Sequence, residues 1–125
     1  MNVYVDTEYG AYAVDLETEE VERADAVEVD EVAVELPRVL AAGRTGSTIV
    51  ALVDAVPPLM ISHDAGATWR DSGRGLPPGR SVAVSQDDPD LIVYASRNRL
   101  HVSRDGGRFW IALGIELPEI RAVAL

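Results

Sequence analysis

The string Ser62-His63-Asp64-Ala65-Gly66-Ala67-Thr68-Trp69 returns as Ser103-Arg104-Asp105-Gly106-Gly107-Arg108-Phe109-Trp110, so an S-x-D-x-G-x-[TF]-W pattern occurs twice, 41 residues apart. At the same offset Leu76-Pro77 matches Leu117-Pro118, Arg80 matches Arg121, and Val82 matches Val123. Self-similarity at a period of about 40 to 50 residues in a strand-rich chain points to propeller blades, four-stranded units that bury their faces only against neighbours.

The pattern has a mechanical reading. An Asp at a tight turn accepts N–H bonds from the residues that follow, and Gly66 and Gly107 supply backbone with positive φ. Trp69 and Trp110 then open the next strand and fold back over the hairpin. On these residues the chain resembles the Asp-box, or BNR-repeat, propellers of the sialidase- and sortilin-like superfamily, which includes glycoside hydrolases and many non-enzymatic proteins. The resemblance implies a structural hairpin at the turn from a blade's third to its fourth strand, remote from any active site. It gives structural parts to Ser62, Asp64, Gly66, Thr68, Trp69, Ser103, Asp105, Gly107 and Trp110. One carboxylate per turn falls short of the oxygen cage that calcium needs, so no metal is expected.

Between turns the chain alternates with period two or forms short apolar runs, and nowhere favours a helix. Val3-Tyr4-Val5 and Ala11-Tyr12-Ala13-Val14 read as paired strands around Glu8-Tyr9-Gly10. Asp15 to Glu20 occupies the place of a third box but lacks its Gly and Trp. Val32-Ala33-Val34 reads as the next strand, ahead of Val39-Leu40-Ala41-Ala42 and the run from Thr48 to Val53. The acidic stretch 17–35 reads as a solvated sheet edge.

The expectation is an all-β fold of four-stranded antiparallel blades, about three per chain, in one domain of 125 residues. The blade segments are 1–26 with 119–125, then 28–73, then 80–113. The head supplies the second, third and outermost strands of a blade, and the tail, Ile120 to Leu125, a lone innermost strand. Three blades do not close a ring, and an open array leaves bare edges. Closure is expected either from a homo-oligomer, with a dimer favoured and each tail strand completing the other chain's first blade, or from further sequence in a longer propeller.

Charge narrows the partners. The net charge is −10, and all eleven basic residues are Arg. So acidic a chain repels phosphate backbones, which disfavours nucleic acid. Acidity without lysine is similar to proteins of salt-loving archaea, and a GC-rich genome also replaces Lys by Arg. No Cys is present, which excludes disulfides and thiolate sites. No apolar run approaches a membrane span, so a cytoplasmic location without membrane contact is expected.

Candidate chemistry falls on the loops between blades and between second and third strands, read as residues 8–10, 44–47, 71–80, 97–99 and 114–120. They and the tail strand carry Arg44, Arg74, Arg80, Arg97, Arg99 and Arg121, with Glu8 and Tyr9. Arginines converging on a central depression bind carboxylate, sulfate or phosphate in bidentate fashion. A sialidase-like reading needs an Arg-Ile-Pro string, whereas the nearest here is Leu36-Pro37-Arg38, and its Tyr/Glu pair comes from distant blades rather than adjacent Glu8-Tyr9. Asp87-Asp88-Pro89-Asp90 reads as a blade turn, and His63 and His101 lack metal-ligand spacing. The expected function is a non-catalytic scaffold for a protein or acidic glycan, without cofactors; the alternative is a sialidase-like glycoside hydrolase or a degenerate relative.

Overall fold

A computed structural model describes residues 1–29 and 31–125; Asp30, inside the acidic stretch, lies outside them. Among the described residues every regular element is a strand. The first blade holds β1 (Asn2–Thr7), β2 (Gly10–Asp15), β3 (Val21–Arg23) and, as its innermost strand, β12 (Ile120–Ala124), in the order β12-β1-β2-β3. The second blade is β4 (Val39–Thr45), β5 (Thr48–Val53), β6 (Leu59–Ser62) and β7 (Arg70–Ser72). The third is β8 (Ser81–Val84), β9 (Ile92–Ala95), β10 (Leu100–Ser103) and β11 (Ile111–Ala112). All pairings are antiparallel.

Blade order follows from which faces are apolar. Alternation along β8 and β9 sends Val82, Val84, Ile92 and Tyr94 to one side and Ala83, Val93 and Ala95 to the other. The first set packs on Val50, Leu52, Leu59 and Ile61 of the second blade. The other set packs on Val3, Val5, Val14 and Val123 of the first. The third blade therefore sits between the other two, with β8 against both β4 and β12. Gly43 makes the β4–β8 approach possible, because a Cβ there would stand 3.2 Å from the Val84 backbone nitrogen.

The tail strand closes the first blade of its own chain: Tyr4, Val5 and Asp6 oppose Ala124, Val123 and Ala122. Ser81 Oγ accepts the buried Val123 N–H at 3.1 Å, anchoring that strand to β8. This corrects the expected exchange of tail strands between two molecules. The physical reason is the connection from β3 to β4, residues 24–38, fifteen residues long against eight (73–80) and seven (113–119) for the other interblade connections. Extended, fifteen residues reach ~50 Å, enough to pass the third blade.

That connection also corrects the strand read at Val32-Ala33-Val34. Val32, Val34 and Leu36 are half-buried and Ala33 and Glu35 exposed, so the strand-like alternation persists without ladder pairing. Instead Val29 and Val32 line grooves over the inner strands, facing Ala42, Val82 and Val84 and, near the tail, Ala124. The connection is a strap across the middle of the arc.

Candidate functional site

Antiparallel strands alternate the loops between two sides of the arc. On one side the β4–β5 turn meets the β8–β9 loop, where Gln86 Nε2 donates to the Arg44 carbonyl at 3.0 Å. Both Ser-x-Asp-x-Gly hairpins lie there too: the Ala65 N–H donates to the Ser47 carbonyl and the Gly106 N–H to the Asp90 carbonyl. Arg44 is therefore on this side, away from the other predicted arginines. β4 is the innermost strand of its blade, so the turn at 44–47 joins a first strand to a second, and the strand counted at 32–34 had made it a second-to-third connection.

In the first hairpin, Ser62 Oγ donates to Asp64 Oδ1 and accepts the Gly66 N–H, both at 2.8 Å. Asp64 accepts the Thr68 N–H at 2.8 Å and its hydroxyl at 2.6 Å. These bonds, that hydroxyl first, hold the Asp64 carboxyl down at about 2. In the second hairpin Ser103 Oγ donates to Asp105 at 2.8 Å, and the Arg108 and Phe109 N–H groups donate at 3.1 and 3.0 Å. Those bonds, led by the Phe109 N–H, also lower the Asp105 carboxyl. Trp110 Nε1 donates to the Gly107 carbonyl at 3.2 Å and its ring meets Tyr94 edge-on. Asp15, in the reduced third turn, still accepts the Glu17 and Thr18 N–H groups. In the 87–90 turn, Asp88 accepts the Asp90 N–H at 3.0 Å.

The opposite side gathers residues 8–9, 54–58, 73–80, 96–99 and 113–119. Arg80 Nη2 lies 3.0 Å and Arg97 Nε 3.6 Å from Glu119 Oε1, and Arg99 Nη2 lies 3.1 Å from Glu116 Oε1. Glu8 joins through its N–H, which donates to the Glu119 carbonyl at 3.0 Å. Arg74, in the 73–80 loop, and Arg121, at the start of β12, are exposed and have no ion pair among the described residues. Sequence reasoning named five arginines that share this end of the fold but missed Glu116 and Glu119, which pair with three of them. Such exposed pairs contribute about 0–1 kcal/mol.

Beside these loops lies a recess of about 270 Å³, walled by Leu52, Pro58, Leu76, Pro77 and Pro78 with exposed Leu40 and Val56 at its rim. The Pro57-Pro58 and Pro77-Pro78 strings are its signal in the sequence. Tyr94 fixes one wall by donating its hydroxyl to the Pro77 carbonyl at 2.7 Å. Beneath, His101 Nε2 and Ser96 Oγ lie 3.2 Å apart, a spacing a nucleophile and its base would use. Both are buried, and Ser96 Oγ also donates to the Arg99 carbonyl, so the pair serves the core. Burial first, and the Arg99 charge second, lower the His101 pKa. Among the described residues no cluster of His, Asp and Glu could hold a metal ion.

No protein-family model matches the chain, and no curated protein matches it. Solved structures share its fold. The crystal structure of a Niastella koreensis GH74 enzyme superposes with a TM-score of 0.54 at 20% identity, over 93% of this chain and 18% of that one. YCF48 bound to D1 peptide superposes with a TM-score of 0.53 at 16% identity, over 82% of this chain and 35% of that one. The chain is thus similar in fold to β-propeller proteins and spans about a fifth to a third of their length.

Proposed function

We propose that this chain is a non-catalytic Asp-box propeller segment, a binding scaffold whose open arc is completed by a second copy and whose recessed loop face receives a protein ligand. The observation that carries the assembly reading is the first blade's outward face. Tyr4, Asp6, Ala13 and Glu22, with Ala122 and Ala124 of β12, face away from the third blade, and Tyr4 is 43% exposed. The second blade's outward face carries Met60, Ala42 and Arg44. Arg44 is opposite in sign to Asp6 and Glu22, so head-to-tail contact of two arcs pairs complementary faces and gives a closed six-bladed ring.

Light scattering tests this, with twice the 13.5 kDa chain mass expected. Two chains of charge −10 repel, so assembly should strengthen from low to molar KCl. Arg44→Glu should give a monomer. A wild-type protein that stays monomeric in molar KCl would refute the assembly reading.

The ligand reading rests on the apolar recess next to Arg74, a surface suited to a peptide better than to a sugar. A propeller of similar fold is known bound to a peptide, which supports this reading. The hydrolase alternative needs two carboxylates free to act, whereas Glu119 already meets two arginines. Turnover of any fluorogenic glycoside, sialosides included, would overturn the non-catalytic reading.

A further inference from the structure

The three blades share one register. Met60 and Asp71, His101 and Ala112, and Tyr12 and Arg23 are ladder partners eleven residues apart, so these three rungs correspond. One rung along, Gly43 and Val50 of the second blade match Ala83 and Val93 of the third, and Ala124 and Tyr4 of the first. In every blade this rung faces the next position around the arc. Two of the three faces are covered within the chain, and they show what the rung meets. A Cβ on Gly43 would stand 3.4 Å from Val84 Cγ1, and Val50 and Val84 share one core. Leu125 follows Ala124 as Val84 follows Ala83, and it packs on the core that holds Ala83 and Val93. Each formed seam thus sets one aliphatic side chain against another.

The two ends of the arc depart from this pattern together. Tyr4 stands at the position of Val50 and Val93, and it is 43% exposed. At the other end, Arg44 follows Gly43 and so stands at the position of Val84 and Leu125. It is exposed and has no ion pair among the described residues. Its Nε donates to the Gly46 carbonyl at 2.9 Å, a bond in the guanidinium plane that a ring stacked on the face does not disturb. Both halves of one contact have therefore changed, from two aliphatic side chains to a ring and a cation. A guanidinium within ~6 Å of a tyrosine face is attracted by the ring quadrupole. The first blade already holds such a pair, with the Arg23 guanidinium carbon 4.9 Å from the Tyr12 ring centroid. At the outer rim the first blade has Glu22 and Ala24 where the second has Arg70 and Ser72, so the polar ties of β7 have no counterpart there.

We infer that a second copy docks on the first blade in the register of the second-to-third seam, with Arg44 of one copy stacked on Tyr4 of the other. This rests on the head-to-tail assembly proposed above and adds the contact that fixes its register. The inner strands carry the specificity of the seam, and the outer rim does not.

The chain has no cysteine, so cross-linking can read the register. Ala124→Cys and Arg44→Cys, made in separate proteins, put thiols at the positions of Gly43 and Val84, which lie in the side-chain contact a disulfide requires. Mixed and oxidised in molar KCl, the two should give a covalent dimer that neither forms alone. Tyr4→Val and Arg44→Val should each weaken dimerisation roughly tenfold or more, since a ring contains the contact twice. The double variant restores an aliphatic pair and should recover most of that loss. Sedimentation equilibrium measures the dimerisation, and unchanged urea midpoints check that these exposed positions leave the fold intact. A wild-type protein that stays monomeric in molar KCl would overturn the assembly reading and this contact with it. A wild-type dimer would leave the assembly standing and overturn the register in any of four cases: the mixed cysteines fail to link, either cysteine variant links to itself, the single valine variants dimerise undiminished, or the double variant is as weak as the two losses multiplied.

Discussion

Substituting Ala for the same motif glycine in the two hairpins should produce unequal damage. Gly66 and Gly107 both adopt φ of 92°, where a side chain costs about 1–2 kcal/mol. At Gly66 an added Cβ would stand 3.5 Å from Trp69 and 3.9 Å from Ile49, ordinary packing distances. At Gly107 it would stand 2.5 Å from Ile61 Cδ1 and 2.9 Å from Ser72 Oγ, both on the second blade. Forcing a methyl into a closed seam adds about 1–3 kcal/mol. Gly66→Ala should therefore cost about 1–2 kcal/mol and Gly107→Ala about 2–5 kcal/mol. Urea unfolding with an unchanged m-value measures both. Ile61→Val in the Gly107→Ala background should recover part of the loss, because the two sites share one contact. Equal losses at the two glycines would refute the conclusion that the second hairpin is wedged against the neighbouring blade.

Removing the Tyr94 hydroxyl as Tyr94→Phe should cost about 1 kcal/mol in urea unfolding, the worth of its bond to the Pro77 carbonyl. Burial pushes the Tyr94 phenol up to about 12, so its contribution is complete below pH 10 and declines as pH rises toward 12; ultraviolet titration should show a late ionisation that Tyr94→Phe removes. Asp64 runs the other way. With its folded pKa depressed to about 2, the stability it supplies is complete above the ordinary value of 3.8 and is lost as pH falls through 2. Thr68→Val should raise the Asp64 pKa in a carboxyl NMR titration, and an unmoved value would show that the hydroxyl bond does not set it. Arg80→Ala should change stability by less than about 1 kcal/mol, since its pair with Glu119 is exposed.

The hairpins were legible because their bonds are local. Ser62, Asp64, Gly66 and Thr68 satisfy one another within seven residues, and Ser103, Asp105 and Gly107 repeat the arrangement. The segment Val32-Ala33-Val34 was misread because alternation states only that one side of an extended chain meets the protein. It does not supply a neighbour for the backbone. That single miscount also put Arg44 on the wrong side, since an extra strand ahead of β4 turns the first-to-second turn of that blade into a second-to-third connection. Glu116 and Glu119 were invisible as partners among 21 acidic residues, because nothing local selects which carboxylate meets which arginine.

By itself the sequence determined the unit, a four-stranded blade pinned by a short-range turn, and the fact that head and tail each hold part of one blade. Tertiary structure decided the order of the blades, the closure of the first blade within its own chain, and the path of the strap over the inner strands. The physical division is one of range. Turn hydrogen bonds and β alternation are fixed by residues a few positions apart, whereas the burial of a sheet face depends on whichever blade the connecting segment is long enough to reach.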